Sequence, residues 1–216
     1  MPFFDYLEKK HSILVIGPPR SEKGILAEQF AIEGMKKGEK ALYVLTNNFP
    51  EDFLSEISGI GNFHMESSLI RIIDCYTNFV GVPRGDTDMS YAVSGPNALN
   101  EISIAMSKAM KEAPKRIVFD SGSTILLHNS INNVERFFQV LIGRLHNTAV
   151  LMILLEEGVH DAKDVAVMES LTSLTIRFKE EPAGKYMELS SISENKKIQY
   201  EVAGKRIMIK QPVEVY

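Results

Sequence analysis

Short apolar runs alternate with stretches whose apolar residues recur every three to four positions through the first three quarters of the chain. The runs predict strands over Ser12–Ile16, Ala41–Leu45, Ser68–Ile73, Arg116–Phe119 and Thr148–Leu155. The periodic stretches predict helices over Ser21–Lys37, stopped by Gly38, and from Pro50 to about Ile57. Two more are expected from about Asn97 to Lys111 and over Ile131–Leu145. Between the third strand and the Asn97 helix, Tyr76–Pro96 reads as one long Gly- and Pro-dotted loop. After Glu157 the rhythm changes to short strands, Leu171–Phe178, Tyr186–Ser191, Lys197–Val202 and Arg206–Ile209, parted by turn residues. The pattern predicts one domain over 1–216: an extension (1–11), an α/β body with a parallel sheet (12–157) and an antiparallel C-terminal meander (171–210).

Composition narrows this picture little. The 216 residues are 44% hydrophobic and 24% charged, enough for a core without staples. A net charge of -4 disfavours nucleic acid and anionic lipid as partners. The single cysteine, Cys75, reads as a small buried apolar residue. No leader peptide is visible, and the Thr148–Leu155 run is too short to span a bilayer, so a cytoplasmic protein without membrane contact is expected. His11, His64, His128, His146 and His160 show no ligand spacing, so no metal site is expected. Glu156 and Glu157 read as a solvated loop entrance, and Asp86 and Asp88 as loop residues with an open role.

The candidate chemistry lies in GPPRSEKG, between the first strand and the first long helix. A phosphate-binding loop, G-x-x-x-x-G-K-[ST], needs that strand-loop-helix context. Gly17, Pro18, Pro19, Arg20, Ser21, Glu22, Lys23 and Gly24, with Ile25 behind them, keep the first glycine and the lysine. The second glycine is Glu22 and the magnesium-binding hydroxyl is replaced by Gly24. A carboxylate about 4 Å from a phosphate charge costs roughly 1 kcal/mol in water and about 4 at an effective dielectric near 20. ATP with magnesium is therefore disfavoured as a cofactor, and none is expected. The plain alternative is a βα turn with Ser21 as N-cap and Glu22 in the first turn, with Arg20 free to pair with Glu22. Asp120, ending the strand in IVFDSGSTILL, has the form of a Walker B aspartate; the plain alternative is a cap on the next turn.

The segments Ile13–Gly38, ALYVLTNNFPEDF, SGPNALNEISIAMSKAM, KRIVFDSGSTILL and FQVLIGRLHNTAVLMILLEEG together resemble the RecA-superfamily proteins of the KaiC-like group, above all its short archaeal members. The resemblance covers about Ser12 to Ile209. It implies a RecA-like P-loop NTPase fold of class α/β, with a mostly parallel central sheet flanked by helices. Active members carry a Glu-Glu pair after the second strand; Asn47 and Asn48 stand there, and an amide cannot take a proton from water at neutral pH. The family's trans-acting K-x-R positions fall at about Ser191 and Ser193. Together these departures suggest a fold kept without its hydrolytic engine. The expected function is a pseudo-ATPase serving as regulatory or scaffold protein in signalling, with active KaiC/RecA-like relatives or itself as partner. The alternatives are weak ATP binding or hydrolysis through Lys23 and Asp120, and a recombination-type DNA-binding accessory role.

Overall fold

A computed structural model describes residues 2–60 and 66–210; His64 lies outside them. Its ten strands form one sheet in the order β10-β9-β8-β7-β1-β6-β5-β2-β3-β4. The strands are β1 (Ser12–Gly17), β2 (Ala41–Leu45), β3 (Ile70–Asp74), β4 (Ser90–Ala92), β5 (Arg116–Asp120), β6 (Val150–Glu156), β7 (Leu174–Glu181), β8 (Gly184–Ser190), β9 (Asn195–Val202) and β10 (Ile207–Ile209). From β7 to β4 every neighbouring pair is parallel; β8, β9 and β10 add on antiparallel. β1 and β2 are buried at every position, as strands covered by helices on both faces must be.

One face carries α1 (Phe3–Glu8), α2 (Lys23–Met35) and α3 (Pro50–Ser58), packed through Tyr6, Leu26, Phe30, Phe53 and Ile57. The other carries α4 (Leu99–Ala109), α5 (Gly122–His128), α6 (Ile131–Leu145) and α7 (Ala162–Leu171), packed through Ile102, Met106, Ile125, Phe138 and Met168.

The structure departs from the sequence expectations at identifiable places. The extension over residues 1–11 contains α1, a helix the periodicity did not predict, which buries Phe3, Tyr6 and Leu7 in the core. β4 sits inside the stretch expected to be all loop, where Asp86 accepts from Ala92 N (3.0 Å) and pairs with Lys108 (3.2 Å). Asp86 is thereby a structural tie. The expected meander is present, with β7 antiparallel to β8, and β7 also joins the body by running parallel to β1, because α7 supplies a crossover from β6. α1, α5 and α7 escaped detection: two are single-turn to two-turn stripes, and α7 hides its periodicity in an acidic segment. The Ser191 and Ser193 positions lie in the β8–β9 turn rather than on a strand, at the edge opposite the Gly17 loop.

Candidate functional site

Sheet register assembles the site. Gly17, the last residue of β1, stands beside Glu156, the last of β6, and Leu45 of β2 stands beside Asp120 of β5. Four strand ends therefore deliver the loop, Glu156, Asp120 and Asn47 to one carboxyl edge, where open α/β sheets bind ligands. Gly17 itself has no room for a side chain, since a Cβ would strike Ser21 and Phe178.

Within the loop, Pro18 and Pro19 have no amide hydrogen to offer an anion, and Ser21 N turns back to Pro18 O (3.1 Å). Arg20 takes a left-handed conformation, φ 63°. Ser21 is not the helix cap: Glu22 occupies that position, and the Ser21 hydroxyl is buried with no hydrogen-bond partner. The first intrahelical bond runs from Leu26 N to Glu22 O, so the amides of Lys23, Gly24 and Ile25 lie ahead of it at the positive end of the helix.

The charges of the loop are satisfied from far along the chain. Glu22 is bonded by Lys185 of β8 and by the Tyr200 hydroxyl of β9 (2.9 Å), not by Arg20. Burial works against ionisation of Glu22, yet those two donors hold its carboxyl below the usual range. The buried Lys23 ammonium donates to Glu156 (2.8 Å) and to Pro18 O (3.0 Å). Glu156 and Glu157 are thus no solvated pair: the first holds Lys23, and the second pairs with Lys179 (2.7 Å). Ser123 braces this arrangement, its hydroxyl accepting from Glu156 N and meeting His160 Nε2, both at 2.7 Å. Burial keeps the imidazole of His160 below its ordinary pKa, although Asp164 and Glu156 oppose the shift. Nothing in the spacing of Ser123 and His160 could have revealed them, because only the β5–β6 pairing brings them together.

Asp120 does not cap the following helix. Ser121 does, accepting from Ser123 N (3.0 Å) and Thr124 N (3.4 Å). Burial lifts the Asp120 carboxyl to about 6; Lys23 pulls it down, while Glu156 and Glu56 push it up. Glu28 on α2 is raised further, to about 7, again chiefly by burial. Asn47 is engaged as an acceptor, taking hydrogen bonds from Thr46 (3.2 Å) and Thr124 (2.5 Å). Asn48 is half-buried next to it.

These carboxyls make stability depend on pH in a definite direction. Folding raises the proton affinity of Glu28 from 4.5 to about 7 and of Asp120 from 3.8 to about 6. Stability is therefore full below the lower values and is lost as pH rises through those windows. Glu194 works the other way. Burial disfavours its charge, but Lys10, Lys196 and Tyr6 hold it at about 2, so its contribution is lost as pH falls from 4.5 toward 2. The thermal midpoint is expected to be higher at about pH 5 than at about pH 8, with Glu28→Gln shrinking the difference. A midpoint flat across that range would contradict the assignment.

Groups that ATP with magnesium would call on are absent or already engaged here. Gly24 brings no hydroxyl, Glu22 places a held carboxylate at the helix start, and Lys23 is already bonded on both sides. A small cavity of about 110 Å³ lies between the loop and β7–β9, bordered by Glu22, Lys185 and Tyr200. Among the described residues no three His, Cys, Asp or Glu side chains converge to hold a metal, and no helix is long and apolar enough to cross a membrane.

The KaiC-like protein PH0186 of Pyrococcus horikoshii superposes on the chain with a TM-score of 0.68 at 16% identity, covering 98% of this chain and 96% of its own. The uncharacterized protein PH0321 of the same organism, crystallised with an unknown peptide, does so at 0.64 and 15%, covering 95% and 94%. At these identities the likeness concerns the fold. In sequence, UPF0273 protein MK0039 of Methanopyrus kandleri is 26% identical over 125 residues, 56% of this chain and 49% of the relative. A UPF0273 protein of Thermotoga maritima is 25% identical over 126 residues, 56% and 51%. The match thus takes in about half the length of these curated relatives. A family model described as ATPase: KaiC matches residues 3–207, and the chain belongs to that KaiC family.

Proposed function

We propose that this KaiC-family chain does not turn over ATP and acts through protein contacts, as a regulatory or scaffold module for active relatives or for itself. One observation carries the reading: the lysine meant for phosphate is buried against Glu156 and Pro18 O, while Glu22 is clamped over the helix start by Lys185 and Tyr200. A polyphosphate would have to displace both pairs and then face the Glu22 carboxylate at short range. The replacement of a catalytic carboxylate by Asn47, whose oxygen is occupied by two threonines, supports the same reading. PH0321, of like fold, was crystallised with a peptide, which accords with a protein-binding role. Phosphate release from ATP with magnesium is expected at background level, unchanged by Lys23→Ala; turnover abolished by that substitution would defeat the proposal.

A second reading, weak nucleotide binding, is favoured by one fact. Lys23, at the start of α2, and Asp120, at the end of β5, both stand at the carboxyl edge of the sheet, as a working site would need. A magnesium-dependent thermal shift with ATP that Asp120→Asn removes would favour it.

A further inference from the structure

On the sheet face away from the loop-bearing helix α2, α4 and α6 diverge to leave a groove of about 740 Å³, within the range of sites that hold a ligand or a helical segment. α6 has two stripes. Val134, Phe138, Leu141 and Leu145 face the core, as an amphipathic helix requires. A second stripe, Asn133, Arg136, Phe137, Val140 and Arg144, lines the groove instead. Its apolar members are not closed over by the fold: Val140 is 49% exposed and Phe137 is half-buried. Met106 of α4 lies beneath them.

The charges lining this groove are mainly positive, Arg136 and Arg144 against Glu101. Arg136 and Arg144 are both exposed, and neither has an ion-pair or hydrogen-bond partner among the described residues. The carboxylate that does line the groove, Glu101, is turned to Ser94, bonding its amide (2.7 Å) and hydroxyl (2.9 Å). The two arginines are eight positions apart on one helix, about 12 Å at 1.5 Å per residue, and flank Phe137 and Val140. An unpaired guanidinium binds carboxylates in a planar, two-pronged geometry, so a pair at this spacing sets a pattern for its partner.

We propose that the α4–α6 groove is a docking site for an acidic amphipathic helix of a partner protein. That helix carries carboxylates about two turns apart, with an apolar pair between them. The apolar pair covers Phe137 and Val140, and the carboxylates reach Arg136 and Arg144. Binding of this kind leans on charge for encounter and on the apolar contact for lifetime, and it weakens with salt. This inference names a partner class for the protein-contact reading proposed above, and rests on that reading only for its biological use. The groove shares no residue with the Gly17 loop, so ATP turnover would overturn the former and leave docking untouched.

The test uses the full chain and a labelled synthetic peptide of about twelve residues, helical by composition. Glutamates stand at its first and eighth positions, and leucine and phenylalanine at its fourth and fifth. A second peptide replaces both glutamates by lysine. Fluorescence anisotropy is expected to show saturable binding of the acidic peptide, at least tenfold weaker with Arg136→Glu/Arg144→Glu and weaker again as salt rises. Both arginines are exposed, so the variant folds; its circular dichroism and melting curve confirm this. Val140→Asp separately weakens binding through the apolar contact. Absence of binding, equal binding of the lysine peptide, or indifference to the arginine substitutions would each overturn the proposal. So would a concentration-dependent dimer of the wild type, seen by sedimentation, that the arginine substitutions abolish, because the groove would then belong to a second copy of this chain.

Discussion

Arg116→Met is expected to lower the unfolding free energy by about 3 kcal/mol or more. Arg116 begins β5 and is 1% exposed. Its guanidinium bonds Phe30 O (2.6 Å), Glu39 (2.8 Å) and Glu8, and lies over the Phe30 ring at 4.8 Å. One side chain thus ties α1, the last turns of α2 and the turn into β2 to the sheet. Methionine replaces the stem but takes one donor from the buried Phe30 carbonyl and the cation from Glu39, while Glu8 keeps only Lys37. Because Glu8 and Glu39 can turn toward water, the lower end of the range for broken buried pairs applies. For a chain of this size, 3 kcal/mol corresponds to about 6–12 °C in the melting midpoint.

The same site explains Gly34. A Cβ there would overlap Arg116 Nε and Cδ and crowd Glu39, so Gly34→Ala is expected to destabilise while Arg116 is held in place and to be milder beside Arg116→Met, whose flexible, unbonded side chain can move aside. Denaturant titration of the two single variants and the double variant tests both claims. Additive losses, or a loss under about 1 kcal/mol for Arg116→Met, would contradict the packing described.

The second large effect is a gain. Glu22→Gly/Gly24→Thr is expected to bind ATP with magnesium more tightly than the wild type does. A Cβ at Gly24 meets nothing within 4 Å, so the backbone leaves space for a side chain there, and threonine brings back the hydroxyl. Glycine at 22 removes the carboxylate and frees Lys185 and Tyr200 from it. Lys23 then needs only to exchange Glu156, whose side chain is 30% exposed, for phosphate. At ATP a hundredfold above Kd the added stability is about 2.7 kcal/mol, several degrees of thermal shift. Adding Lys23→Ala should abolish it. A double variant that stays indifferent to ATP would place the obstacle in the backbone instead, where Pro18 and Pro19 offer no amide donors.

Periodicity read Ala41–Leu45 and Ile131–Leu145 to the residue, because both are long or regular enough for burial to print itself on the sequence. It missed α1, whose six residues carry too few repeats to register. At the candidate site, the loop, Asp120, Asn47 and Asn48 could be picked out because a motif is a local string. Their partners could not. Lys185 and Tyr200 stand 163 and 178 positions from Glu22, and Glu156 stands 133 from Lys23.

The sequence by itself determined which elements form, that they build an α/β sheet, and that the loop lacks its second glycine and its hydroxyl. Those properties follow from side-chain period and residue type, which are local. Only the tertiary structure decided that β7 runs parallel beside β1, which sets β8 and β9 next to it and so brings Lys185 and Tyr200 to Glu22. It likewise decided that Lys23 is held by Glu156, and that Arg136 and Arg144 are left without partners in a groove. A charge finds its partner through strand order and helix placement, and those are settled by how the whole chain buries its apolar faces.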